Sequence, residues 1–361
     1  MTTVASEGTD SLPGGRHKKS DNYRLTLLML WFVALALAVL SLMSGSIHLS
    51  PTEVLQAFFP NTTHTTAYEV IWNLRLPRTL LALLVGLQFA IAGLILQCVT
   101  RNPLADPSII GISSGSSLAI VTVLLLVDYV NAMFLFNTPV KISLEWLPFA
   151  AFIGGAISTL FVVLLSIKSN LRPVTLTLNG FAVGAMTNAI VMWLVIVWGG
   201  GRTETTVLWL AGSLYARDFS HIMLVLPWTL LGLLLLPLLK SPMSLLRFNE
   251  QQAKALGMNV MAWRIACIAV AVIFAASAIS VSGPIGFLGL IVPHISRLLV
   301  GGDIKRQFWV CALVGASLTL AADLVARTIV SPIELPAGAI TTLLGIPVLL
   351  FLLQKQVRHQ S

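Results

Sequence analysis

Charge is what this sequence has least of. Only 10% of its 361 residues are Asp, Glu, Lys or Arg and 57% are hydrophobic, against roughly 25% and 45–50% in soluble domains. Such a chain cannot build a water-soluble surface, so its solvent is lipid. Cysteine is equally scarce. Cys98, Cys267 and Cys311 lie inside apolar runs without C-x-x-C spacing, which argues against a disulfide framework or a zinc site and leaves them as packing residues. The six histidines fall in tails, loops or helix ends, with none of the paired spacing that zinc sites use. A phosphate-binding loop is missing too: Gly15 is followed by Arg-His-Lys-Lys-Ser, not by the spacing G-x-x-x-x-G-K-S/T.

Acidic residues are absent where an ion-coupled carrier needs them. Asp106, Asp303 and Glu334 sit at the ends of apolar runs, and Asp323 lies one turn before Arg327, where a local ion pair is expected. A proton- or sodium-driven transporter carries ligands or a relay at mid-membrane depth. Their absence argues against that class, and with no phosphate loop any pumping draws its energy from another subunit. The net charge of +8 is scattered between apolar runs rather than gathered in a stripe, so nucleic acid is not the implied partner.

Long apolar runs are what the sequence does have. A membrane-crossing helix needs about 20 mainly apolar residues, and ten segments qualify: 25–44, 79–99, 108–126, 146–167, 174–198, 221–239, 264–281, 286–300, 308–326 and 336–353. The eighth is short and rich in Gly and Pro. The first follows a basic stretch, yet its run exceeds the 7–15 residues of a signal-peptide core, so it is retained. The expected fold is an all-α polytopic membrane protein of about ten transmembrane helices. It comprises a disordered tail over 1–24, a permease domain over 25–355 with a loop at 241–263, and a tail over 356–361. Ten spans with the N-terminus inside leave only Arg75, Arg78, Lys141, Arg202, Arg217 and Arg327, of 22 Lys and Arg, on the outer side. The positive-inside rule therefore selects cytoplasmic termini.

Three segments do not read as plain connectors. Residues 101–115 carry two prolines and two glycines at a helix junction, a pattern tolerated at membrane depth where protein or a water-filled cavity surrounds it. Residues 282–297 repeat that pattern after the seventh span, on the opposite side in this topology, and the pairing hints at an inverted repeat of spans 2–5 against 7–10. The third is the inner loop after span 6. There Glu250 to Leu256 forms a short helix, Ala253 and Leu256 share one face, and Gly257 stops it. A helix this short is stable only if a partner protein or the lipid surface receives its apolar face.

Taken together, Arg75-Leu-Pro-Arg78, Asn102-Pro-Leu-Ala-Asp-Pro107, Ala253-Lys-Ala-Leu-Gly257 and Gly283-Pro-Ile-Gly-Phe-Leu-Gly-Leu-Ile-Val-Pro-His294 resemble the FecCD-type permeases. These are the iron-siderophore and vitamin B12 permeases of the type II ABC importers. The resemblance implies a ten-helix subunit in the bacterial inner membrane, a second identical or paralogous permease subunit, two ATP-binding subunits and a periplasmic or lipid-anchored binding protein. It implies no cofactor in this chain, ATP being bound and hydrolysed by its partners. Glu250, Ala253, Leu256 and Gly257 match the family's ATPase-coupling helix, and Asn102 and Leu104 match its cytoplasmic gate. Arg75, Arg78 and Arg327 match arginines that meet carboxylates of the binding protein, a role for which exposed guanidiniums suit. Residues 173–178 depart from the family pattern, so no gate residue is carried over there. The implied cargo is an iron(III) siderophore or a related chelate, with haem and cobalamin as alternatives.

Overall fold

The structure is a computed structural model that describes residues 15–45, 47, 49–59, 65–134, 146–198, 207, 209–248, 250–330 and 334–358. Every regular element among them is helical. Helix α1 (Gly15–Met43) starts within the tail expected to be disordered. Residues 15–21 instead extend the helical ladder of the apolar run behind them, in line with the good helix propensity of Arg and Lys; residues 1–14 lie outside the described residues, as do Lys141 and Arg202. Two short helices follow, α2 (Pro51–Gln56) and α3 (Thr66–Glu69). α2 opens on a full capping box, in which Ser50 and Glu53 satisfy each other's free backbone donors.

From α3 the chain runs through a π-helical turn, Val70–Arg75, into α4 (Leu76–Thr100) without a break. Pro77 explains the widened turn. Its ring lacks an N–H and crowds the carbonyl four residues back, and the Leu76 amide accordingly reaches Ile71 instead. Arg101, in the left-handed region at φ 50°, ends α4, and a 3-10 turn at Pro107–Ile110 leads into α5 (Ile112–Phe134). There follow α6 (Leu147–Ile167), α7 (Pro173–Trp198), α8 (Phe219–Leu246), α9 (Glu250–Ala255), α10 (Val260–Ser282), α11 (Leu288–Val300), α12 (Ile304–Thr328) and α13 (Ala337–Arg358).

Among the described residues eight helices are long and apolar enough to cross a membrane, and α11 and the stretch Ala337–Pro347 of α13 are shorter apolar segments. The ten apolar segments are thus all present as helices, with α11 too short to cross unaided.

Helix α4 is the centre of the bundle, packed by α8, α10, α11 and α12. Glycine lets two of those neighbours come close. A Cβ at Gly86 would stand 2.3 Å from the Gly315 carbonyl oxygen of α12, and one at Gly93 would stand 2.0 Å from that of Gly289 in α11. Small residues at crossings allow such backbone approach in a bundle held by packing rather than by the hydrophobic effect. By contrast α1 is buried on one narrow side, against α12, and exposes Leu28, Trp31, Phe32 and Leu35. Ser41 and Arg327 meet at one end of this pair and Tyr23 and Arg306 at the other, so α1 and α12 run parallel.

Candidate functional site

Three places collect the residues singled out in the sequence. At the first, the C-terminal ends of α1 and α12 meet the start of α4. Arg75 donates through Nη1 to the carbonyls of Leu42 (2.6 Å) and Met43 (2.9 Å) and through Nη2 to that of Ile47. Arg78 grips Asp323 with Nε and Nη2 (2.8 Å at closest) and Glu334 with Nη1 (2.6 Å). Arg327 donates to the Ser41 carbonyl (2.5 Å) and hydroxyl (2.7 Å). The three side chains line one cavity of about 80 Å³.

These arginines are therefore not the exposed guanidiniums of the sequence reading: their relative exposures are 4%, 8% and 6%. The physical reason is local. Helix ends supply free carbonyls and two carboxylates, and a guanidinium with five donors is cheaper to bury than to leave beside them unpaired. Asp323 likewise pairs with Arg78 and not, as its spacing suggested, with Arg327. Three guanidiniums face two carboxylates, and Nε of Arg327 has no partner among the described residues.

The second place is a re-entrant cleft of about 240 Å³, lined by Leu104, Asp106 and Ser108 on one side and by Pro284, Phe287 and Leu290 on the other. Its first wall is built by turn chemistry. Asn102 Oδ1 accepts from the Leu104 amide (2.9 Å), and Asp106 Oδ1 accepts from that of Ser108 (2.9 Å), starting the 3-10 turn that Gly111 ends at φ 79°. The second wall starts where Gly283 ends α10. Sequence reasoning set these two Gly/Pro segments on opposite sides of the membrane. The structure brings them together: a Cβ on Gly289 would lie 2.7 Å from Pro107 and 3.1 Å from Asp106 Oδ2. Both segments fold back into the bundle, so residues that follow helices of opposite direction converge. Asp106 is buried, and its Oδ2 is unpartnered among the described residues. It was taken for a span-end acid because a re-entrant loop leaves no mark in hydropathy.

Leu104 lines this cleft, and Asn102 positions it. Neighbouring Arg101 and Pro103 line a separate pocket of about 370 Å³ with Arg247 and Arg297, a basic grouping that the sequence reading missed because it draws on three separated segments.

The third place is α9, at the end of the bundle opposite the arginines. Ala253 is fully buried. Gly257 adopts φ 79° in open space. The amides of Gly257 and Met258 return to the carbonyls of Lys254 and Ala253, a Schellman-type stop. Glu250 bonds Lys254 (3.0 Å) and reaches Arg264 of α10 (3.4 Å). The Lys254 contact, opposed by burial and aided by Arg264, holds the Glu250 carboxyl below its ordinary range. Leu256 is 69% exposed, so it does not share a buried face with Ala253 as the spacing had suggested. Leu256, just past the last residue of the helix, is exposed instead, as is Phe248 before it.

Among the described residues no group of three or more His, Cys, Asp or Glu is arranged to hold a metal ion.

A bundle of long apolar helices, with two loops facing a cleft and a short helix at one end, is that of a polytopic membrane protein. The FecCD transport family model matches residues 33–355, and the chain belongs to that family. It is 35% identical over 343 residues to the Fe(3+)-citrate import system permease protein YfmE of Bacillus subtilis, covering 95% of this chain and 98% of that one. It is 37% identical over 336 residues to the achromobactin transport system permease protein CbrC of Dickeya dadantii, covering 93% and 92%. The hemin transport system permease protein HmuU of Yersinia pestis is 35% identical over 339 residues, covering 92% and 97%. Among solved structures, an inward-facing conformation of a metal-chelate type ABC transporter superposes with a TM-score of 0.77 at 29% identity, covering 92% of this chain and 99% of that one.

Proposed function

We propose that the chain is the membrane-spanning permease subunit of an ATP-driven importer that moves an iron(III) chelate, a siderophore complex or a related metal chelate, from a binding protein into the cytoplasm. The observation that carries this reading is the near full-length match to the FecCD transport family and to permeases named for import of ferric citrate and for transport of achromobactin. A second permease subunit, two ATP-binding subunits and a periplasmic or lipid-anchored binding protein complete the assembly. The subunit sits in the bacterial inner membrane with both termini in the cytoplasm, an orientation supported by its Lys and Arg distribution.

In this orientation α9 faces the ATPase, and Phe248 and Leu256 are the apolar side chains that enter it. Closure of the ATPases moves α9. The Glu250–Arg264 contact passes the motion to α10, and α10 leads directly into residues 283–287, one wall of the cleft. The opposite wall carries Leu104, held by Asn102, as the cytoplasmic gate. At the other end the arginine cluster faces the binding protein. Its excess guanidinium and the orphan Nε of Arg327 suit one incoming carboxylate, which reaches them through the 80 Å³ cavity.

Deletion of the gene tests the proposal. The expected result is loss of growth on one ferric chelate as sole iron source, rescued by the intact gene; undiminished uptake of every iron chelate would overturn it. The hemin and haem-iron relatives support haem as a second cargo. Loss of growth on haem alone would establish that alternative.

A further inference from the structure

A further cavity lies apart from both the cleft and the arginine cluster. It is a groove of about 500 Å³ between α1, α4 and α12, lined by residues that include Leu27, Trp31, Leu84, Leu87, Trp309 and Leu313, and no lining residue is charged. On α1 it runs from Tyr23 to Ala38, about 22 Å at the helical rise. That exceeds the roughly 15 Å of one leaflet's hydrocarbon, so the groove begins at the interface and reaches past the mid-plane.

Its mouth has a different character. The Arg306 guanidinium sits 5.4 Å from the centroid of the Tyr23 ring. Exposed Lys305 lies beside it in sequence at the start of α12, and exposed Arg24 follows Tyr23. Against these three cations stands Asp303, 3.7 Å from Arg306. Tyr23 and Trp309 near the basic end give the groove the aromatic and cationic pattern of a headgroup boundary. Basic residues in such a place attract anionic headgroups, and an apolar groove takes the chain.

We propose that this groove is a binding site for an anionic phospholipid: one acyl chain lies between α1, α4 and α12, and the phosphate is held at the mouth by Lys305 and Arg306. The bound chain completes the packing of α1, which otherwise meets the bundle along a narrow side. The site is independent of the cargo and of the ATPase.

The purified full-length protein tests this by native mass spectrometry with phosphatidylglycerol and phosphatidylcholine of identical chains. The expected result is retention of phosphatidylglycerol by at least about fivefold over phosphatidylcholine, the factor that a single surface cation supplies. Lys305→Gln with Arg306→Gln should abolish that preference while phosphatidylcholine binding persists, and Ala312→Trp should reduce retention of both lipids. A chain-brominated phosphatidylglycerol provides a readout in the unfilled groove: it should quench tryptophan fluorescence, less so in Trp309→Phe. Equal retention of the two lipids by the wild type, a preference unmoved by the double substitution, or a second copy of the chain cross-linked into the groove through Trp31 would each overturn the proposal.

Discussion

Arg78 shows what a single residue does here. Its guanidinium joins α4 to Asp323 of α12 and to Glu334 beyond it, and Asp323 is completely buried. Removing one partner of such a pair leaves an uncompensated charge, at a cost of about 3–5 kcal/mol. Arg78→Ala should therefore lower the thermal unfolding temperature of the purified protein markedly, and adding Asp323→Ala should recover part of the loss. Additive losses would show that the two residues are not coupled. The partner of Asp323 was not legible in the sequence, because it stands 245 positions away while Arg327 is one turn along the same helix. Glu250 makes a second prediction at this scale. Its folded-state pKa is depressed, so its contact with Lys254 and Arg264 stabilises fully above the ordinary carboxylate range and is lost as pH falls through and below it. Hydrogen exchange over residues 250–257 should accelerate below about pH 4, near the unperturbed carboxyl value, and Glu250→Gln should remove that dependence.

At the scale of the element, α9 is the informative case. Its existence and its glycine stop were legible, since Glu, Gln, Ala and Lys favour helix and Gly257 ends it. Which face is free was not. A spacing of three leaves two side chains about 60° apart round a helix, and although the Leu256 amide still bonds the Gln252 carbonyl, its side chain falls outside the buried face that holds Ala253. The exposed apolar pair is Phe248 and Leu256. Replacing both by Asp should abolish uptake and ATPase co-purification while the protein stays folded in the membrane; unchanged co-purification would place the contact elsewhere.

For the whole molecule, composition and hydropathy disclosed the ten apolar helices, because each must satisfy its own backbone in lipid. The convergence of the two Gly/Pro segments was hidden, since it depends on backbones passing within van der Waals distance rather than on any periodic pattern. The Gly93–Gly289 crossing holds that convergence. Gly93→Ala would place a methyl 2.0 Å from a backbone oxygen and force α4 and α11 apart. It should cost about 1–3 kcal/mol or more in stability, together with transport. Gly302→Ala, where nothing lies within 4 Å, is the control.

The central claim, an ATP-driven chelate permease, is tested most directly by reconstituting the chain with its co-purifying ATPase and its binding protein in proteoliposomes and following a radiolabelled iron(III) chelate. The account predicts accumulation in the compartment that holds the ATPase, only with hydrolysable ATP and only with the binding protein on the other side. Accumulation by the chain alone under a proton or sodium gradient would contradict it.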